Sequence, residues 1–464
     1  MELAFCYTET GQQSDTLSPR DRSRGIFIWK GRMNNTLTPD ADYDKTVLDN
    51  GLRLLTAPMP HARSASVVVF LGVGSRYEAP AESGLSHFIE HMLFKGTARR
   101  PAARDISITI EGVGGLLNAV TSQETTETTV YWAKVAQPHL SLALDLLVDV
   151  LRHSSFAPPE IAKERQVILE EIDSLYDAPG ELVGLLIDQL LWDGPLGWDI
   201  AGSKDTISAF QRPDLLAYLA RHYAPGNAVL SVAGSIDPLA IKEQMAALLG
   251  AWLPAPPASY APALDSQTAP RLKVHYKNTE QVHLCLGVHG LPLVHPDRFV
   301  LGLLSTILGE GMSSRLFEEL REKRGLVYDV HSYVDRFQDT GSAVVYAAVD
   351  PQRTVAAVEV ILEELARLKD QPVPDAELTT AKELTKGRFW LSLEDSRNVA
   401  SWLGSQELLL GHIQTVDEVI AQVEAVTPAD IQRLARQFFV QAQLNLALVG
   451  PFKKEGRFVR LLKL

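Results

Sequence analysis

His87, Glu90 and His91 stand in the order His-x-x-Glu-His within the stretch Leu85 to Phe94. Leu85, Phe88, Ile89, Met92 and Leu93 recur at the spacing of one apolar helical face. That spacing predicts a helix, with Gly96 where a C-cap would fall. The two histidines and Glu90 then occupy the opposite face. Residues four apart on a helix are neighbours, so both imidazoles can reach one ion, with Glu90 beside them. Phe94 projects between them, which covers that face. Two such imidazoles suit zinc, and the adjacent carboxylate suits a base that takes the proton of an attacking water. The order reverses the commoner His-Glu-x-x-His zinc pattern. A plain polar helix face is the bland alternative. Histidine is scarce, 12 in 464 residues, so the spacing seldom arises by chance.

A third ligand is required, and the segment Pro158 to Pro179 offers one. Pro158-Pro159 opens it and Asp177-Ala178-Pro179-Gly180 closes it, as helix boundaries do. Glu164, Ile168, Glu171 and Leu175 step by four, three and four and share one face. Glu170 points about 100° away, so Glu171 is the inward carboxylate. A carboxylate beside an apolar stripe needs a partner, because burying it unpaired is costly. Zinc would serve Glu171. For Glu164 an ion pair with a basic side chain is an equally good account.

His87-x-x-Glu90-His91 followed by Glu164-Arg-Gln-Val-Ile-Leu-Glu-Glu171 resembles the insulinase or pitrilysin family of zinc metallopeptidases, the inverzincins. The likeness is greatest to bacterial members similar to the mitochondrial processing peptidase, and it runs from about Asp44 to the C-terminus. The resemblance implies that His87, His91 and Glu171 ligate one Zn²⁺ per chain. It makes Glu90 the base and Glu164 an acidic support of the site. It also implies a substrate-binding edge strand at Leu117-Asn118-Ala119 and Thr121-Ser122, where a peptide pairs with Asn118 and Ala119 by main-chain hydrogen bonds. A plain edge strand is the alternative there. The following hairpin is a few residues longer than the family pattern, so either Glu124 or Glu127 matches its acidic position. Arg321 and Tyr328 match an Arg and a Tyr that family members bring from the second half to the active site. For Arg321 alone a solvated helix charge, among Glu318, Glu319 and Glu322, would suffice.

These side chains need elements to hold them. Lys45 to Leu55 and Ala65 to Leu71 read as strands, and Gly72 to Ser83 as the loop into the metal helix. Arg104 to Glu111 reads as a helix, Leu116 to Lys134 as a β-hairpin, and Leu140 to Leu151 as a helix. Pro195-Leu-Gly opens a loop resembling a family signature. A helix at Pro213 to His222, a strand at Ala228 to Ala233 and a helix at Pro238 to Leu249 follow. Residues 253–270, dense in Pro, Ala and Ser, have the composition of a linker.

On either side of that linker the chain repeats itself. Leu71-Gly72-Val73 matches Leu286-Gly287-Val288, Ala162-Lys163-Glu164 matches Ala381-Lys382-Glu383, and Asp214 and Gly234 match Asp430 and Gly450. Such self-similarity predicts a duplicated α/β unit. The same offset puts Gly302, Ser305 and Thr306 opposite His87, Glu90 and His91, and Trp390 opposite Glu171. None of these supplies the lost ligands, so the repeat predicts one metal site per chain. Ile307 to Leu316 carries glycines but lacks the Gly-Lys-Ser/Thr ending of a phosphate loop.

Length alone argues for at least two domains. The expected division is a leader at residues 1–43, a zinc-binding domain at 44–252, the linker, and a metal-free homologous domain at 271–464. Each lobe would be a mostly antiparallel sheet covered by helices, an α/β (α+β) arrangement, the two facing each other around a cavity. A net charge of -13 argues against nucleic acid or anionic membrane as the main partner. Two cysteines give no disulfide framework and suit a reducing compartment. No apolar run spans a membrane. The leader is interrupted by acids and lacks the apolar core of a secretory signal, which leaves the cytoplasm as the expected location and either Met1 or Met33 as the start.

The expected activity is therefore zinc-dependent hydrolysis of peptides or unfolded segments. The chain would work as a homodimer, or as a heterodimer with a related non-catalytic chain. A catalytically silent scaffold of the same fold and a zinc hydrolase of non-peptide substrates are the rivals.

Overall fold

A computed structural model describes residues 43–121, 126–256, 259–264 and 266–464. The leader apart from Tyr43 lies outside the described residues, as do Ser122 and Glu124.

Eleven strands form two sheets among the described residues. In the first half they are β1 (Asp44–Val47), β2 (Arg53–Pro58), β3 (Ser64–Leu71), β4 (Leu116–Val120), β5 (Thr129–Ala136) and β6 (Ala228–Gly234). In the second half they are β7 (Arg271–Tyr276), β8 (Val282–His289), β9 (Val327–Arg336), β10 (Gly341–Val349) and β11 (Asn445–Gly450). The strand orders are β1-β2-β6-β3-β5-β4 and β7-β11-β8-β10-β9. Without β1 the two orders are the same. Each sheet has one parallel pair, β2 with β6 and β7 with β11, and is otherwise antiparallel. The expected strand over Lys45 to Leu55 is two antiparallel strands, Asp44 pairing with Thr56 and Val47 with Arg53. Gly51, at φ +88°, turns the chain between them.

Helix start signals recur at matched places. Asp214 closes a capping box with Gln211, and Asp430 closes one with Thr427. In each half one face of the sheet is covered by that half's own helices. The apolar stripe Leu85, Phe88, Ile89, Met92 and Leu93 of the metal helix is buried in this way against β3 and β5 residues.

The other face of each sheet is covered by the opposite half. The helix Pro179–Leu191 belongs to the first half, yet Leu182, Val183, Leu186 and Ile187 cover Cys285, Val344, Ala447 and Val449 of the second sheet. In return the helix Ser396–Leu409 lays Val399, Ala400, Trp402 and Leu403 on Leu55, Val68, Phe70 and Val229 of the first sheet. Part of the expected linker is docked as well. Gln267 is buried and its amide donates to the Ala442 carbonyl at 2.9 Å. The halves are interlocked, so neither sheet is complete without a helix from the other.

A side chain from one half should therefore hold up the sheet of the other. Trp402→Ala should destabilise the protein by about 3–5 kcal/mol in denaturant titration. Hydrogen exchange should rise in β3 and β6, which are distant in sequence. Protection lost only around residues 396–409 would contradict the interlock.

Candidate metal centre

The metal helix runs Leu85–Leu93 and meets the helix Pro158–Asp177 along its polar side. Ile161, Ile168 and Ile172 are buried on the second helix, which fixes its rotation and turns Glu164 and Glu171 towards the histidines. His87 Nε2 and His91 Nε2 lie 3.1 Å apart, and each is 3.6 Å from Glu171 Oε2. Ligand bonds of about 2.0–2.2 Å put the corners of a tetrahedral site roughly 3.3–3.6 Å apart, so this trio has the size of a zinc cradle. Burial lowers the pKa of His87 to about 3, with His91 adding to the effect, which keeps its imidazole neutral as a ligand must be. The donor set is the one that suits zinc, and its open corner keeps a place for substrate.

Glu90 stands beside the trio but outside it. Burial raises its carboxyl above the usual range, while Thr121 and His91 pull the other way and Glu171 adds to the rise. One of its oxygens, Oε2, is buried without a hydrogen-bond partner among the described residues. A desolvated carboxylate with a free oxygen is suited to accept a proton.

Glu164 does not enter the trio. Its Oε2 lies 3.1 Å from His91 Nδ1, and its Oε1 takes a salt bridge from Lys95 at 2.8 Å. It thereby fixes the ring and leaves Nε2 free to face the metal. Glu164 is thus ion-paired with Lys95 and in contact with His91 at once. Among the described residues His87 has no such orienting group, its Nδ1 being buried without a partner.

Asn118 and Ala119 lie on β4, which forms the edge of the first sheet. Asn118 is exposed, and its Oδ1 accepts the Ala119 N–H at 2.8 Å. Thr121, just beyond the strand, lines a cavity of about 680 Å³ together with His87 and Glu171. The far wall is the second half, with Asp329, His331, Tyr333 and Tyr346. That wall is linked internally: His331 stacks on Tyr346 with centroids 4.8 Å apart, and the Tyr346 hydroxyl bonds His283 Nδ1 at 2.7 Å.

The sequence places Arg321 and Tyr328 at the metal, and the structure does not bring them there within one chain. Both are exposed, Tyr328 by 73%, with the guanidinium of Arg321 5.6 Å from the Tyr328 ring centroid. The reason is the period of a strand. Asp329, His331 and Tyr333 of β9 point into the cavity, so Tyr328 faces the other way. Glu127, one of two candidates for an acidic position, is buried as the partner of Arg76 instead. The second half's matching position has no imidazole to offer: Gly302, Ser305 and Thr306 are all buried in the helix Arg298–Gly309, Ser305 Oγ bonds Ser332 Oγ at 3.0 Å, and Thr306 lines a cavity of about 260 Å³.

Comparison with known proteins agrees with this architecture. Residues 53–202 match the model of the insulinase family, peptidase family M16, and residues 209–385 match that of the peptidase M16 inactive domain. The uncharacterized zinc protease YmxG of Bacillus subtilis is 38% identical over 87% of this chain and 97% of its own length. The chain belongs to the insulinase family. An uncharacterized zinc protease of Streptomyces coelicolor is 36% identical over 88% of this chain and 90% of its own. The crystal structure of a protease from Helicobacter pylori superposes with a TM-score of 0.83 at 26% identity, covering 89% of this chain and all of that one. A peptidase M16 inactive domain from Pseudomonas fluorescens shares the fold, with a TM-score of 0.80 at 20% identity over 89% of this chain and 98% of that one. Among the described residues, no helix is long and apolar enough to cross a membrane.

Glu164→Gln should weaken Zn²⁺ affinity by about tenfold to a hundredfold, measured by competition with a chelator, because it loosens His91 without removing a ligand. An affinity equal to wild type would mean that Glu164 merely pairs with Lys95.

Proposed function

We propose that the chain is a zinc endopeptidase that hydrolyses peptides or unfolded polypeptide segments. The observation that carries this reading is the convergence of His87, His91 and Glu171, with Glu90 free beside them, at a cavity reached by an open sheet edge. When bound, the zinc supplies Lewis acidity, which polarises a scissile carbonyl and acidifies a water. Glu90 takes a proton from the attacking water and passes it to the leaving amine. Residues of β4 bind the substrate as an added strand, so affinity comes largely from main-chain hydrogen bonds and little from sequence. Such pairing admits an extended chain and excludes a folded one. A catalytically silent scaffold would need neither Glu90 nor the trio, and both are retained.

Tyr328 can donate a hydrogen bond to a developing oxyanion, and Arg321 can hold a carbonyl. Facing outward, they serve the cavity of a second chain, either an identical copy or a related one. Delivery to the cavity of their own chain would require the halves to move against each other, which the crossed helices oppose.

Glu90→Gln should keep about one zinc per chain and lose hydrolysis of a peptide library read by mass spectrometry, while Glu171→Gln should lose the metal. Zinc lost from Glu90→Gln, or activity kept by it, would overturn the assignment. Glu90→Gln and Tyr328→Phe chains, each weak alone, should regain activity when mixed and allowed to exchange. No recovery on mixing would remove the contribution in trans.

A further inference from the structure

His91 is aimed by Glu164 at Nδ1, but among the described residues none bonds His87 Nδ1, so the aim of that ring rests more on the backbone of the first helical turn. That turn starts at Gly84, whose φ of +96° is open chiefly to glycine. A Cβ at Gly84 would also meet the Ala201 carbonyl oxygen at 2.7 Å. The free N–H groups of Gly84 and Ser86 donate to the two oxygens of Glu78, each at 2.7 Å. Glu78 is 3% exposed, so its carboxyl is buried with these two N–H donors holding its oxygens. Ser86 Oγ bonds the Tyr218 hydroxyl at 2.9 Å.

Two residues earlier the same strap turns to the substrate side. Arg76 is 1% exposed, and its guanidinium joins three parts of the chain. It pairs with Glu127 in the connection between β4 and β5 and with Asp339 of the second half at 2.5 Å. Tyr260, from the segment between the halves, lies over it at 4.0 Å. The Arg76 N–H donates to the Thr126 carbonyl at 3.1 Å, and Glu127 accepts the Gln338 N–H at 3.0 Å. Buried ion pairs of this kind seldom add stability over apolar packing, while breaking one is strongly destabilising. Here they join the hairpin that bears Thr121 to the turn that bears His87.

We propose that Arg76 and Glu78 are positioning residues. Arg76 holds the hairpin that ends the substrate strand, Glu78 holds the first turn of the metal helix, and Asp339 makes their spacing depend on the second half. The role in substrate binding rests on the peptidase reading above; the role in holding the metal does not. Neither residue touches the metal trio. Glu78 acts through the backbone of Gly84 and Ser86, and Arg76 through Glu127 and Thr126.

The test uses the full chain. Glu78→Gln turns an amide against one of the two N–H donors, and it should weaken Zn²⁺ by about tenfold in chelator competition. It should also alter the visible spectrum of the Co²⁺-substituted protein, with circular dichroism close to wild type. If that variant fails to fold, Glu78→Asp keeps the acceptors but sets them back by one methylene, and the same loss is expected. Asp339→Asn should leave Zn²⁺ affinity unchanged. It should raise KM for a cleaved peptide by about tenfold with kcat changed less, and increase hydrogen exchange at residues 116–121. Variants with wild-type Zn²⁺ affinity, KM and exchange, changed only in Tm, would reduce the network to plain structure and overturn the proposal. If wild type cleaves no peptide, the peptidase reading fails by itself, and metal affinity and exchange still decide this one.

Discussion

The contact between the helices Leu85–Leu93 and Pro158–Asp177 is the constraint on which the site depends. It brings two imidazole nitrogens and a carboxylate oxygen to within 3.1–3.6 Å of one another, although they come from segments about eighty residues apart in sequence. Three lone-pair donors that close are an awkward arrangement without a cation, and burial deepens the difficulty by depriving His87 of water. Everything around the contact serves to hold it. Buried isoleucines set the rotation of one helix, Lys95 and Glu164 set one ring, and Glu78 sets the start of the other helix.

Much of this was legible in the sequence because it obeys short-range rules. The spacing of His87, Glu90 and His91 and the four-three-four step of Glu164, Ile168, Glu171 and Leu175 are helical periodicities, and both helices formed as expected. The repeat was legible too, since Asp214 and Asp430 cap matched helices and Gly234 and Gly450 end matched strands. What escaped was long-range. Arg76, Glu78 and Asp339 look like ordinary loop charges until the fold buries the first two, and no periodicity marks them. Asp329, His331, Tyr333 and Tyr346 form the far wall of the cavity, yet in sequence they read only as strand residues. That Tyr328 faces away from the cavity of its own chain escaped for a related reason. Adjacent residues on a strand face opposite ways, and matching a motif does not say which way is inward.

The second half shows what happens to the same scaffold without metal. Its equivalent helix keeps the packing and has Gly302, Ser305 and Thr306 in place of the ligands, with Ser305 Oγ bonded to Ser332 Oγ and the Thr306 hydroxyl donating to the Gly302 carbonyl. The half now contributes a wall, a covering helix and the anchor Asp339. The two halves keep one architecture, and among the described residues the cluster of possible metal ligands lies in the first.

The crossed helices carry a further meaning. A helix lent by each half to the sheet of the other is the geometry of a domain-swapped pair. Two separate single-sheet chains could make this exchange only as a dimer. Covalent joining through the stretch that now holds Tyr260 turns that association into a folding step whose local concentration no longer depends on how much protein is present. Once the partners are one polypeptide they are always made in equal number, and selection can act on each separately. One can then drift away from chemistry while its sheet, still needed by the other, is kept.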